Sequence, residues 1–189
     1  MVLTKTASHL EYLAFERVSE TRHEFINQTL IPMAGASRFH NFITLNLAAL
    51  IWQLMRNTDN ETYQSDMRLL NPSTGSYFYP DVMVSDGKGE LVEDGYFDTL
   101  TNPILIVEVL SPSTAVYDKT DKFIACRGIK SLKEYILVSS DKVMVEIYRR
   151  NSDDNWYSVV ETNLTNNVNF ESINLDLPLK EIYARVFKN

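Results

Sequence analysis

The sequence predicts one α/β or α+β domain built around a mostly central sheet, and three observations carry that prediction. The apolar pattern runs as a helix, a hairpin, a longer helix, a series of strands, and then a strand–helix–strand crossover. The 189 residues suffice for one sizeable core and are too few for two comfortable ones, so the expected unit is a single domain over 1–189. Finally, no internal repeat, low-complexity tract or linker divides the chain.

The elements follow in order. Ser8-His9-Leu10-Glu11 has the spacing of a capping box ahead of Tyr12, Leu13, Ala14 and Phe15, which predicts a short first helix. His23 to Met33 reads as a hairpin, with Asn27-Gln28 at its turn and Pro32 near its end. Ser37 caps a longer helix in which Phe39, Phe42, Ile43, Leu47, Leu50, Ile51 and Leu54 recur at the spacing of one buried face. Strands are expected at Thr62 to Leu70, Tyr77 to Val84 and Ile104 to Leu110, with a flexible polar loop carrying Gly87, Gly89 and Gly95 before the last of them. A helix from about Tyr117 to Ile129 comes next. Strands at Glu134 to Val138, Val143 to Tyr148 and Trp156 to Val160, and a closing helix from Leu179 to Phe187, complete the reading.

Composition narrows the function classes. The net charge of −7 argues against a protein that coats nucleic acid non-specifically, because such binding runs on phosphate neutralisation. A local basic groove stays open: Lys119, Lys122, Arg127, Lys130 and Lys133 fall within 15 residues, although mixed charge makes this segment read as a solvated helix face. No apolar run reaches 18 residues, so no membrane helix is expected. The first residues lack the apolar stretch of a signal peptide, and a lone cysteine, Cys126, forms no intramolecular disulfide; a cytoplasmic location is the expectation. His9 and His23 belong to no metal-binding spacing, and no phosphate-binding glycine loop or nucleophile elbow occurs.

The residue that stands out is Glu108, which interrupts the apolar run Ile104-Leu105-Ile106-Val107-Glu108-Val109-Leu110. A buried ionised carboxylate costs several kcal/mol unless paired. Asp81, after Pro80 at the mouth of the preceding strand, would supply a second carboxylate, and two such groups on neighbouring strands suit an oxygen-loving divalent cation. The competing reading is a Glu108 satisfied by backbone N–H groups or by a buried arginine such as Arg68. Asp118 and Lys122 lie four residues apart on one side of the next helix, with Ala125, Cys126 and Ile129. Periodicity alone favours an exposed i,i+4 pair there.

Taken together, Pro80-Asp81-Val82, Val107-Glu108-Val109-Leu110-Ser111-Pro112-Ser113-Thr114, Asp118-x-x-x-Lys122 and Glu134-Tyr135 resemble the Uma-type family of restriction-endonuclease-like domains. The resemblance spans nearly the whole chain and includes the leading helix, the His23-Glu24-Phe25 hairpin entry and His40 at the start of the second helix. It implies a restriction-endonuclease-like α/β fold, a mixed central β-sheet flanked by helices. It also implies phosphodiester hydrolysis, with DNA the expected substrate. The wider nuclease superfamily carries Pro-Asp, then Asp or Glu, any residue, and Lys. Here the lysine position holds Leu110, and Lys122 on the following helix matches the family's migrated lysine. Cys126, where relatives tend to carry an aromatic residue, reads as packing.

On that resemblance Asp81, Glu108 and the backbone carbonyl of Val109 would hold Mg²⁺ or Mn²⁺. Lys122 would orient the attacking water or stabilise phosphoryl charge, and Glu24 matches an accessory acid. Glu24 reads equally as a solvated hairpin residue. His40 would reach the site from its helix N-terminus or serve structurally, and Asp118 is a further candidate. A homodimer would suit double-strand cleavage. Two rival readings remain: a nuclease fold used as a binding or assembly module, and a hydrolase of small phosphate esters. An open groove lined by Lys119, Arg127 and Lys130 would favour nucleic acid, and a deep closed pocket the small ester.

Overall fold

The computed structural model describes residues 8–33, 35–93 and 98–187. Helix α1 (His9–Glu16) starts at the predicted capping box: the Glu11 backbone N–H donates to Ser8 Oγ, and Ser8 N donates to Glu11 Oε2 at 2.7 Å. Strands β1 (His23–Ile26) and β2 (Thr29–Pro32) form the predicted hairpin. Asn27 and Gln28 turn with φ of 49° and 63°, the left-handed pair that a two-residue hairpin demands.

Helix α2 (Arg38–Met55) begins at Ser37, whose Oγ accepts the His40 N–H at 3.2 Å. Its Ile43, Leu47, Ala48, Ile51 and Met55 bury one face against Val82, Val84, Leu105, Val107 and Val109.

Two of the expected long strands are each divided between two sheets. Thr62 to Leu70 becomes β3 (Thr62–Gln64) and β4 (Arg68–Asn71). Tyr77 to Val84 becomes β5 (Ser76–Phe78) and β6 (Val82–Ser85). The second break falls at Tyr79-Pro80-Asp81, where Pro80 has no N–H for a ladder. After β6 the predicted loop instead supplies β7 (Leu91–Glu93) and β8 (Asp98–Leu100), an antiparallel pair; Gly95 lies outside the described residues. β9 (Pro103–Leu110) then carries Glu108.

Beyond β9, the single helix expected from Tyr117 to Ile129 is three short pieces. They are α3 (Ala115–Tyr117), a π-helical turn (Asp118–Lys122) and α4 (Phe123–Cys126). β10 (Glu134–Ser139), β11 (Val145–Arg150) and β12 (Trp156–Glu161) match expectation. A hairpin of β13 (Asn167–Phe170) and β14 (Leu175–Pro178) was not visible in the sequence pattern. The closing helix is one turn, α5 (Leu179–Ile182), rather than a helix to Phe187.

Among the described residues the strands form one sheet in the order β2-β1-β5-β4-β8-β7, a second in the order β12-β11-β10-β9-β6-β3, and the β13-β14 pair. Both six-stranded sheets are mixed: β4 runs parallel to β8 and β9 parallel to β10, with antiparallel neighbours elsewhere. Successive strands pass between these sheets at 65–67, 79–81, 86–90 and 101–102, and the second of these crossings carries Asp81.

Strand alternation sorts β9. Leu105, Val107 and Val109 face α2, whereas Ile106 and Leu110 pack with Phe123, Cys126 and Tyr135 under the broken helix. Glu108 has the parity of that second set.

Because α2 positions His40 through its first turn, Ser37→Ala tests this arrangement. Loss of the N-cap is expected to cost about 1 kcal/mol, read as a lower urea midpoint at unchanged m-value.

Candidate functional site

Glu24 on β1, Glu108 on β9 and Lys122 on the π-helical turn meet at the junction of the two sheets. Lys122 Nζ lies 2.7 Å from Glu24 Oε1 and 2.7 Å from Glu108 Oε1. All three side chains are buried, each at most 5% exposed. The π-helical turn puts one extra residue into the helical register, and both Asp118 and Lys122 point inward. The exposed Asp118–Lys122 surface pair is therefore replaced by a buried lysine shared between two strands. Glu24 is likewise buried rather than solvated. Arg68 serves elsewhere: its Nε donates to Thr99 Oγ1 at 2.9 Å and its guanidinium lies over the Tyr77 ring.

Glu24 is fixed from two sides. The Tyr79 backbone N–H donates to Oε1 at 3.1 Å and the Tyr117 hydroxyl donates to Oε2 at 2.6 Å. Behind it, Glu16 of α1 accepts the His23 N–H at 3.0 Å and the Tyr79 hydroxyl at 3.1 Å, which locks both residues next to Glu24.

Asp81 sits where β6 begins. Its Oδ2 accepts the Val109 N–H at 2.7 Å and lies 3.2 Å from His40 Nε2, so α2, β6 and β9 converge on one carboxylate. His40 Nδ1 is 3.5 Å from Thr44 Oγ1. Thus the structure brings together every sequence-derived candidate: Glu24, His40, Asp81, Glu108, Val109, Asp118 and Lys122 all line one cleft of about 220 Å³. Tyr117 and Tyr79, the groups that hold Glu24, were not singled out in the sequence. Tyr117 stands immediately before Asp118, but nothing in its type or spacing marks it. Lys119, Arg127 and Lys130 do not line the cleft. Lys119 pairs with Glu146 at 2.9 Å and borders a second recess, while Arg127 and Lys130 are solvent-exposed.

The electrostatics of the cleft are those of crowded acids. Burial pushes Glu108 well above the ordinary carboxylate range; Lys122 opposes this, while Asp118, Asp81 and Glu24 add to it. Asp118 is also raised, by burial first, against the pull of Lys122 and a hydrogen bond from Thr114. Burial works against charge on Lys122, yet Glu108, Glu24 and Asp118 hold its pKa well above normal. For His40 burial is likewise unfavourable, and the hydrogen bond and charge of Asp81, with Asp118 and the Val109 backbone, outweigh it and raise the pKa.

A second buried glutamate provides a control within the same sheet. Glu134 accepts from Arg149 Nε at 2.8 Å, from the Glu171 and Ser172 backbone N–H groups at 3.2 and 2.9 Å, and from Ser172 Oγ at 2.6 Å. Both its oxygens are satisfied, and its role is to dock the segment between β13 and β14. Glu108 Oε1, though 2.7 Å from Lys122, lacks a hydrogen bond of good alignment. Among the described residues no three His, Cys, Asp or Glu side chains converge closely enough to enclose a metal ion by themselves. A hard divalent cation that keeps its waters needs only one or two carboxylates.

Comparison with known proteins decides the family. The Uma2 family model, described as "Putative restriction endonuclease", matches residues 10–180. The chain belongs to the Uma2 family. An uncharacterized protein of Synechocystis sp. is 40% identical over 153 residues, covering 81% of this chain and 86% of that protein. A second Synechocystis sp. protein is 31% identical over 173 residues, covering 92% and 89%. The crystal structure of a "putative nuclease" from Anabaena variabilis superposes with a TM-score of 0.79 at 18% identity, covering 96% of this chain and 99% of that one. The Uma2 chain thus has the restriction-endonuclease-like fold. No helix among its described residues is long and apolar enough to cross a membrane.

The raised carboxyls of this Uma2 protein make its stability pH-dependent. The folded state keeps protons on Glu108 and Asp118 that the unfolded chain, with ordinary values near 4.5 and 3.8, has released. Stability therefore falls as pH rises from that range through the raised values. Lys122→Met removes the cation that holds both values down, so its penalty is expected to be larger at pH 8 than at pH 5, reaching about 3–5 kcal/mol at the higher pH. Urea unfolding at both pH values measures it. An equal penalty at both would show that Lys122 does not govern these carboxyls.

Proposed function

We propose that this Uma2 protein is a metal-dependent endonuclease that hydrolyses phosphodiester bonds in DNA, through a single restriction-endonuclease-like domain over 1–189. Family membership supports the nuclease reading. The observation that carries the assignment to this cleft is the buried Glu108, paired with Lys122 but left without the full hydrogen bonding that Glu134 enjoys.

The donor set suits Mg²⁺ or Mn²⁺. Glu24, Asp81, Glu108 and Asp118 are four carboxylates facing one ammonium and one imidazole, an acid excess that a divalent cation would relieve. Asp81, Glu108 and the Val109 carbonyl would hold the metal, as hard oxygen ligands. Bound there, it would supply Lewis-acid polarisation of the phosphoryl oxygen and a more acidic water.

The remaining chemistry belongs to the chain's own groups. Lys122 stays charged because carboxylates surround it, and beyond the two N–H groups facing Glu24 and Glu108 its third would serve a phosphoryl oxygen or the attacking water. Glu24, clamped by Tyr79 and Tyr117, aims the ammonium and offers an acceptor close to it. His40 holds Asp81 from the α2 side. The cleft supplies hydrolytic groups rather than a basic track, so the DNA backbone would be gripped by residues outside its lining.

Cleavage of plasmid and single-stranded DNA with Mg²⁺ or Mn²⁺ tests the reading. Asp81→Asn, Glu108→Gln and Lys122→Ala are each expected to lower the rate by at least about 10²-fold, with folding verified by circular dichroism. Absence of metal-dependent cleavage by the wild type on either substrate would overturn it and favour a nuclease fold that binds without turnover.

A further inference from the structure

β12 closes one side of the Glu108 sheet, and among the described residues no strand pairs with its outer edge. Edge strands are normally guarded by charge, proline or a bulge. Here Trp156-Tyr157-Ser158-Val159-Val160 carries none of these, and Glu161 ends the strand. β12 pairs with β11 residue for residue from Trp156 to Glu161, with no break in register. Tyr157, Val159 and Val160 are 46, 43 and 52% exposed. An unbulged edge with five consecutive uncharged residues, Trp156 to Val160, is a template for another strand.

Its sequence also specifies which strand. Two copies related by a twofold axis normal to the sheet pair antiparallel and keep each face on its own side, so every residue meets one of the same parity. With Ser158 opposite Ser158 of the second copy, Tyr157 faces Val159 and Trp156 faces Val160, each twice. These are four aromatic–β-branched cross-strand pairs, a favourable combination on a sheet. Outside them Glu161 meets Asn155, so no like charges stand opposite. Centring instead on Val159 would set Tyr157 against Glu161 and Ser158 against Val160 and lose the match.

We infer that the β12 edge is a self-association surface, through which two copies of this chain join antiparallel about Ser158 into one continuous sheet. β9 lies three strands in from this edge, so pairing neither completes nor blocks the cleft, and seven strand spacings, roughly 34 Å, would separate β9 from its symmetry mate. An interface built mainly on one strand pair is small, and association is expected in the micromolar range rather than below it.

Sedimentation velocity from low to several hundred micromolar is expected to show a concentration-dependent dimer. Val159→Lys, an exposed position, is expected to sediment as a monomer throughout with an unchanged melting temperature. Register is read independently by Ser158→Cys. Opposed residues on an antiparallel pair have Cα atoms about 4.5–5.5 Å apart, within disulfide reach, so mild oxidation is expected to cross-link this variant. Asn155→Cys, whose symmetry mate is six residues away in register, is expected to remain uncross-linked. The native thiol, Cys126, is buried and does not compete. A wild type that stays monomeric at every concentration, or a dimer that survives Val159→Lys, would overturn the inference. Equal cross-linking of both cysteine variants would overturn the register.

Discussion

The Lys122 ammonium is the constraint around which the rest of the site is arranged. It is buried, it belongs to a helical segment, and it contacts carboxylates from two different sheets. Removing such a charge from water is costly, and its attraction to Glu24 and Glu108 repays that cost only if all three side chains hold their places. The surroundings meet that condition through Tyr79 and Tyr117 on Glu24, and through close packing of Ile106, Leu110, Phe123 and Cys126 beside Glu108. A broken helix, two sheets and a crossover peptide are thereby tied at one point.

The geometry also explains how a lysine can leave its strand without leaving the site. On β9, Glu108 and Leu110 share parity, so a lysine at 110 would project to the same face as Glu108. Leu110 fills that space with an apolar side chain packed near Phe123 and Tyr135. The ammonium arrives instead from above, on the π-helical turn that covers the same face. That turn is anchored at its start, where the Tyr135 hydroxyl donates to the Asp118 carbonyl at 3.0 Å. Tyr135 thus packs in the core, and in packing it seats the segment that delivers Lys122.

Much of this was legible in the sequence, for reasons that differ by element. The capping box at Ser8, the Ser37 cap and the Asn27-Gln28 turn are local devices, and each appears where it was read. The interruption of an apolar run by Glu108 marked a buried carboxyl group, and that group is buried. What could not be read is non-local. Periodicity assumes 3.6 residues per turn, so a π-helical turn defeats it: periodicity alone favoured an exposed Asp118–Lys122 pair, and only the family resemblance pointed Lys122 inward. The division of the strands at 65–67 and 79–81 depends on a second sheet competing for the same chain, which no window of sequence contains. The β13-β14 hairpin is held by Glu134 and Arg149, the latter also donating to the Asn169 carbonyl, and these partners lie far from it in sequence.

The contrast between Glu108 and Glu134 turns these observations into an argument about function. Both are glutamates of adjacent parallel strands, both are almost fully buried, and both meet a cation. A fold that needed only to bury a carboxylate has shown, at Glu134, how it does so: an arginine, two backbone N–H groups and a serine hydroxyl account for both oxygens. Glu108 Oε1 has Lys122 at 2.7 Å but no well-aligned hydrogen bond. It is instead set among Asp81, Asp118 and Glu24, whose charges make its ionisation harder. An apolar residue at 108 would continue the strand without that crowding, but would leave buried Lys122 with Glu24 as its close partner. Four acids gathered around one lysine at the junction of two sheets are a strained arrangement in the protein alone. On the proposed function, a divalent cation and the phosphate groups of a substrate would balance it.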